Sequence, residues 1–222
     1  MGADTAPPNN DVCDTGLAYA CGDTGPGTGT VFYASATPFT CGAGMTDSCN
    51  FLEVAPNGWN GNLVNCPGSG AGTGLVQSSC GGTPSTTSDW GSDGPGAGKG
   101  YQYCTGAEAK KLAPGADATV IGSGFSNTTA IIAKCSSVNA GELARGYNGG
   151  GMSDWSLPSK DELNALYNYP NRNQITGFAA DDYWSSSQYS DTNAWYQWFT
   201  AGLQTHYNNV PSNLGVRPVR AF

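Results

Sequence analysis

The chain has 222 residues, a formal net charge of −8 and a pI near 4.3, with 33 glycines and only 12% charged residues. That acidic balance excludes nucleic acid as a partner, because phosphate binding needs a basic patch that displaces counterions. No apolar run approaches the roughly 18–20 residues of a membrane-spanning helix, so no membrane insertion is expected.

From the amino terminus, Met1-Gly2-Ala3 runs straight into polar residues, which is not a secretory leader. Residues 1–98 contain no lysine or arginine; Lys99 is the first basic residue. Gly29–Ser35 and Asn50–Ala55 read as short strands, rich in β-branched and aromatic residues. Pro67–Gly74 and Gly81–Gly100 are Gly-Ser-Thr-Asn stretches, too poor in apolar side chains to form a core.

The cysteines supply what these loops lack, since each cross-link restricts the unfolded chain and contributes about 2–4 kcal/mol. Eight cysteines allow about 105 pairings, so sequence alone leaves the connectivity open. Local pairing is the expectation: Cys13–Cys21, Cys41–Cys49, Cys66–Cys80 and Cys104–Cys135. Zinc needs Cys-x-x-Cys pairs or neighbouring histidines, and His206 is the only histidine. Disulfides in an oxidising setting are therefore expected, and no metal or cofactor.

The second half has clearer periodicity. Ser126 or Asn127 is expected to cap a short helix over Thr129–Lys134, with Ile131 and Ile132 facing inward. Ser159-x-x-Glu162 is a capping box, in which serine and glutamate satisfy each other's exposed amides. The helix it opens carries Leu163, Leu166 and Tyr167 on one face, and Pro170 stops it. From Asp182 onward the pattern is strands. Two short helices followed by a run of strands predicts an α+β fold rather than a parallel α/β sheet.

Asn193–Ala201 reads as one strand, with a turn at Gly202 and a partner from Leu203. Alternation puts Trp195, Gln197 and Phe199 on one face and Tyr196, Trp198 and Thr200 on the other. Aromatics on both faces suit either a doubly buried strand or a solvent-facing aromatic patch. The polar partner Gln204–Asn209 favours the patch, and its Tyr, Trp, Ser, Asn and Thr residues are the types that binding surfaces use.

Catalytic chemistry finds no support. A triad needs a nucleophile with a base in reach, and the lone His206 lies among exchangeable-looking residues. Gly94–Lys99 resembles a phosphate loop only in composition, because Asp93 and Gly100 stand where glycine and Ser/Thr are required. Asp161 and Glu162 suit the positive end of a helix. Asp181-Asp182 offers oxygen ligands of the kind calcium takes, and Asn127-Thr128-Thr129 fits a glycosylation acceptor.

Asp154–Leu163, Tyr183-Trp184-Ser185-Ser186-Ser187 and Val216–Phe222 together form an ordered set of blocks. Earlier pieces, Gly29–Tyr33, Leu52–Pro56 and Ile121–Gly124 running into Asn127-Thr128, extend it over residues 29–222. This set resembles the C-type-lectin-fold domain found in collagen-like bacterial adhesins and in variable proteins of diversity-generating retroelements. The resemblance implies a C-type lectin fold, with two short helices, a twisted antiparallel sheet and long disulfide-braced loops. Residues 1–28 would be an amino-terminal arm and 29–222 a single domain, with glycine-rich insertions at 60–100 and a variable region at about 183–222. It implies a fixed frame of Trp155, Trp184, Ala194-Trp195, Phe199, Gly202-x-Gln204 and Val216–Phe222, with Arg217 and Arg220 structural.

Between the frame positions, adenine-directed mutation of asparagine codons would place exchangeable residues. The ligand-binding set is then Asp191, Thr192, Tyr196, Trp198, Thr200, Leu203, Thr205, His206, Tyr207, Asn208, Val210 and Ser212. Trp198 alone falls outside the asparagine-codon set. The sugar-binding calcium signature of true C-type lectins is absent from the sequence. The expected function is non-catalytic recognition, at a virion or cell surface, of a protein or glycan on a target cell. An invariant adhesin or structural fibre or cell-wall domain is the alternative.

Overall fold

A computed structural model of the chain describes residues 12–57, 59, 86–88, 116–134, 140–175, 178, 182–190, 193–206 and 214–222. Cys66, Cys80, Cys104 and Cys135 lie outside these residues, as does most of the 60–100 insertion.

Strands β1 (Thr30–Cys41) and β2 (Asp47–Val54) form an antiparallel hairpin, longer at its tip than the sequence pattern predicts. The Cys41–Cys49 disulfide closes that tip, and Cys13–Cys21 closes the preceding arm; both pairings agree with the local expectation. The arm lies along β1, with the Asp14 amide donating to the Ala34 carbonyl and the Gly22 amide to that of Val31. The last strand, β8 (Val219–Ala221), returns to pair with β2, so the two ends of the described chain share one sheet, ordered β1-β2-β8.

A second sheet joins β3 (Thr86–Ser88), β7 (Leu214–Val216), β4 (Asp182–Ser190), β5 (Asn193–Trp198) and β6 (Gln204–His206) in that order. Its β4–β5–β6 part is an antiparallel meander, while β4 meets β7 in parallel at Tyr183 and Gly215. Helix α1 spans Gly124–Lys134 and α3 spans Lys160–Asn168. A third helix, α2 (Ala140–Gly146), adds to the two that the sequence pattern indicates. The class is α+β, as expected.

Successive side chains of the second sheet enter different cores. Trp184 and Tyr196 pack with Ile131 of α1 and Leu143 of α2, whereas Tyr183 and Phe199 pack with Leu163 and Leu166 of α3 and with the hairpin. Each fully buried ring or aliphatic chain contributes about 1.5–3 kcal/mol of burial energy. Along β5, Tyr196 is buried on one face and Gln197 on the other, while Trp195 is half-buried and Trp198 exposed.

Helix α1 starts at Gly124, five residues before the predicted Thr129, and neither Ser126 nor Asn127 caps it. The reason is a carboxylate from outside the helix: Glu162 Oε1 accepts from the Gly122 and Gly124 amides at 2.7 and 3.2 Å. Asn127 sits inside the helix, wholly buried, and its Nδ2 donates to the Ala118 carbonyl at 2.6 Å. The Asn127 glycosylation expectation is corrected accordingly, because that amide is sealed in the folded protein. Of the predicted inward pair, Ile131 is buried and Ile132 half-buried.

Candidate functional site

Polar groups with no access to water hold the loops that support the carboxyl-terminal sheet. The Ser159–Glu162 capping box is present, with the Ser159 amide donating to Glu162 Oε2 at 2.8 Å and the Glu162 amide to Ser159 Oγ at 3.2 Å. With its bonds from Gly122 and Gly124, this one carboxylate joins the starts of α1 and α3. Burial pushes the Glu162 carboxyl up to about 7, against the pull of those backbone donors.

The three serines of β4 extend the same network. Ser187 Oγ donates to the Ala118 carbonyl and accepts from the Lys160 amide, at 2.7 and 2.9 Å. The Ser186 amide donates to the Pro158 carbonyl, and Ser185 Oγ donates to that of Trp195. The Tyr-Trp-Ser-Ser-Ser block thus supplies two core rings and three internal fasteners.

At the other end of the sheet pair, Glu53 is completely buried and accepts from the Gly27 and Gly29 amides at 2.9 and 3.0 Å. Arg220 bonds Glu53 at 2.9 Å and also Asp154. A side chain at Gly27 would put its Cβ 2.5 Å from the Trp155 ring and 2.7 Å from Glu53, so the glycine permits the arm's close approach. Arg217 is 1% exposed; its Nε donates to the Ala55 carbonyl and its guanidinium lies 4.5 Å from the Phe178 ring centre. Desolvation lowers its pKa to about 10. Both arginines have the structural surroundings that the family resemblance implies.

Over this frame, β5 and β6 are joined by a turn. The Gly202 amide donates to the Trp198 carbonyl at 2.7 Å and the Trp198 amide to the Leu203 carbonyl at 2.9 Å. Gly202 adopts a φ of +76°, and a Cβ there would run into the Tyr167 ring. The side chains on and beside the turn point outward: Trp198 is 38% and Leu203 53% exposed, and Thr200 and Ala201 are exposed. Gln197, wholly buried, donates from Nε2 to Asn164 at 3.1 Å, and Gln204 donates to the Lys160 carbonyl at 2.7 Å.

A second exposed feature lies where β4, β5 and β6 run side by side. Tyr189, 48% exposed, stacks parallel to His206 with ring centres 3.7 Å apart. Trp195 stands edge-on to both, and the Lys160 ammonium sits 4.4 Å from the Trp195 ring centre. Alternation of single residues along the sequence does not disclose this cluster, because its members come from three strands and a helix start.

Of the predicted ligand-binding residues, Trp198, Thr200 and Leu203 are exposed and Thr205 and His206 half-buried. Tyr196 is corrected: at 4% exposure it faces Trp184 in the core rather than solvent, because α1 and α2 cover that side of β5. Asp191, Thr192, Tyr207, Asn208, Val210 and Ser212 lie outside the described residues. A cavity of about 390 Å³ lies elsewhere, between the hairpin tip, Phe125 and Arg220, and none of the predicted residues that the structure describes lines it.

The model of the Lcl C-terminal domain family matches residues 85–220, more than half of the chain. No curated protein matches the sequence.

Proposed function

The chain belongs to the Lcl C-terminal domain family, the C-type-lectin-fold domain of adhesins and retroelement variable proteins, and from that premise we propose that its β5–β6 face is diversified by adenine-directed mutagenesis. The family is one of ligand-binding, adhesin-like domains rather than of enzymes. On the proposed reading the protein is non-catalytic and is displayed on a virion or cell surface, where it recognises a protein or glycan of a target cell.

The observation that carries the proposal is an interleaving along one short segment. Ala194, Gln197 and Phe199 are buried, and Gly202 and Gln204 hold the turn. Thr200, Ala201 and Leu203, all within reach of an asparagine codon, project from between them. A fixed backbone with interchangeable outward side chains is what a diversified site requires. The two disulfides fit an oxidising exterior, and no helix among the described residues is long and apolar enough to cross a membrane.

An invariant adhesin or fibre domain is the second reading, and two residues favour it. Tyr196, codon-compatible with variation, is core, and Trp198, the exposed aromatic at the end of β5, is out of reach of an asparagine codon and needs an adenine-rich lysine or arginine codon or is fixed. The genomic neighbourhood decides between them. The diversified reading expects a reverse-transcriptase gene close by and a near-copy of the 3′ coding end that differs only at adenines. If both are missing, the invariant reading stands.

A further inference from the structure

Tyr189 stacks on His206, and β6, the strand that holds His206, carries two polar atoms without partners among the described residues. Gln204 and His206 lie two residues apart on β6 and therefore on one face of the sheet. Gln204 uses its amide nitrogen on the Lys160 carbonyl, but among the described residues its Oε1 has no hydrogen-bond partner, and it is shielded from solvent. The Nδ1 of His206 is in the same condition. Buried polar atoms in native proteins are nearly always paired, and an unpaired one marks a place where a water, ion or ligand belongs.

The surroundings define what would pair them. His206 is stacked under Tyr189, and Trp195 closes one edge of both rings. Lys160 adds an ammonium donor directly above Trp195. Two unpaired atoms able to accept, one ammonium donor and flat ring surfaces match a partner with several hydroxyls on an apolar ring. A peptide phenylalanine would leave both Gln204 Oε1 and His206 Nδ1 unsatisfied, and a tyrosine or tryptophan ring carries one polar hydrogen for the two of them. A polyanion is disfavoured by the chain's net charge of −8. Tyr189 is nearly half exposed, so its ring can turn aside without opening either core.

We propose that Tyr189 is a movable cover over His206 and Trp195, and that these two rings with Gln204 and Lys160 beside them form a subsite for a neutral hydroxyl-bearing ring, a glycosyl unit. The inference rests on reading this sheet as a ligand-binding face, and it names the chemistry that one end of that face accepts.

His206 is the only histidine, so its imidazole carbon-bound protons give a resolved NMR signal for the whole chain. The test titrates the protein, the Tyr189→Ala variant and a Thr46→Ala variant, changed at the exposed hairpin tip, with a panel of neutral methyl glycosides. The expected result is a saturable shift of the His206 signals in the millimolar range, several-fold tighter in Tyr189→Ala and unchanged in Thr46→Ala. Absence of a saturable shift with every glycoside, in the protein and in Tyr189→Ala alike, overturns the subsite. A shift caused instead by N-acetyl-tyrosinamide also overturns it, since the rings would then be a docking point for a peptide aromatic. Neither failure touches the proposed diversification, which the genomic comparison tests separately.

Discussion

The frame that supports the carboxyl-terminal sheet and the rim that projects from it are built on opposite rules. In the frame, Glu53, Glu162, Arg217 and the serines at 185–187 are buried with several partners each. In the rim, Trp198, Thr200, Ala201 and Leu203 project from a turn whose shape is set by backbone bonds and by Gly202. The contrast shows how a loop-rich chain can tolerate change at one place: its stability is stored in polar staples and rings that the outward side chains do not touch. The Tyr189 cluster falls between the two classes, exposed on top and incompletely satisfied underneath.

Mutations should separate the two regions by size of effect. Trp184→Ala removes a ring 1% exposed between the helices and β5, and should cost about 3–5 kcal/mol in urea unfolding. Glu53→Gln strips the buried charge that holds two amides and Arg220, leaving Arg220 only Asp154; about 3 kcal/mol is expected by the same measurement. Replacing Cys41 and Cys49 together by serine opens the hairpin tip and should cost about 2–3 kcal/mol.

A pH titration sharpens the frame's electrostatic side. The Glu162 carboxyl has its folded-state pKa raised from 4.5 to about 7, so the folded protein holds a proton that the unfolded chain releases. Stability from this group is therefore fully present below about 4.5 and is lost as pH rises through about 7, with a slope of at most about 1.4 kcal/mol per pH unit. Glu162→Gln should flatten that part of the stability profile. At the small end, Trp198→Ala and Leu203→Ala should each change stability by less than about 0.5 kcal/mol. A cost of several kcal/mol at either would move that residue from rim to frame.

Much of the frame was legible in the residues themselves. Ser159 and Glu162 stand at capping-box spacing, Pro170 follows the helix end, and the two amino-terminal disulfides close loops of local sequence. Period-2 patterning also marked the strands on either side of Gly202. What remained hidden depends on contacts between distant segments. Nothing at Glu162 signals that Gly122 and Gly124, about 40 positions away, share its carboxylate, so the start of α1 was misplaced. The burial of Tyr196 depends on α1 and α2 covering β5, and no pattern within β5 reports that cover. The Tyr189–Trp195–His206 cluster is likewise a product of strand register, set by pairing Trp195 with His206.

The division between frame and rim is tested most directly by two displayed libraries scored for resistance to protease. One randomises Trp198, Thr200, Ala201 and Leu203; the other randomises Ala194, Gln197, Gly202 and Gln204. Most members of the first library should stay resistant and most members of the second should be cleaved. Equal survival of the two libraries, or loss of the first, would contradict the account.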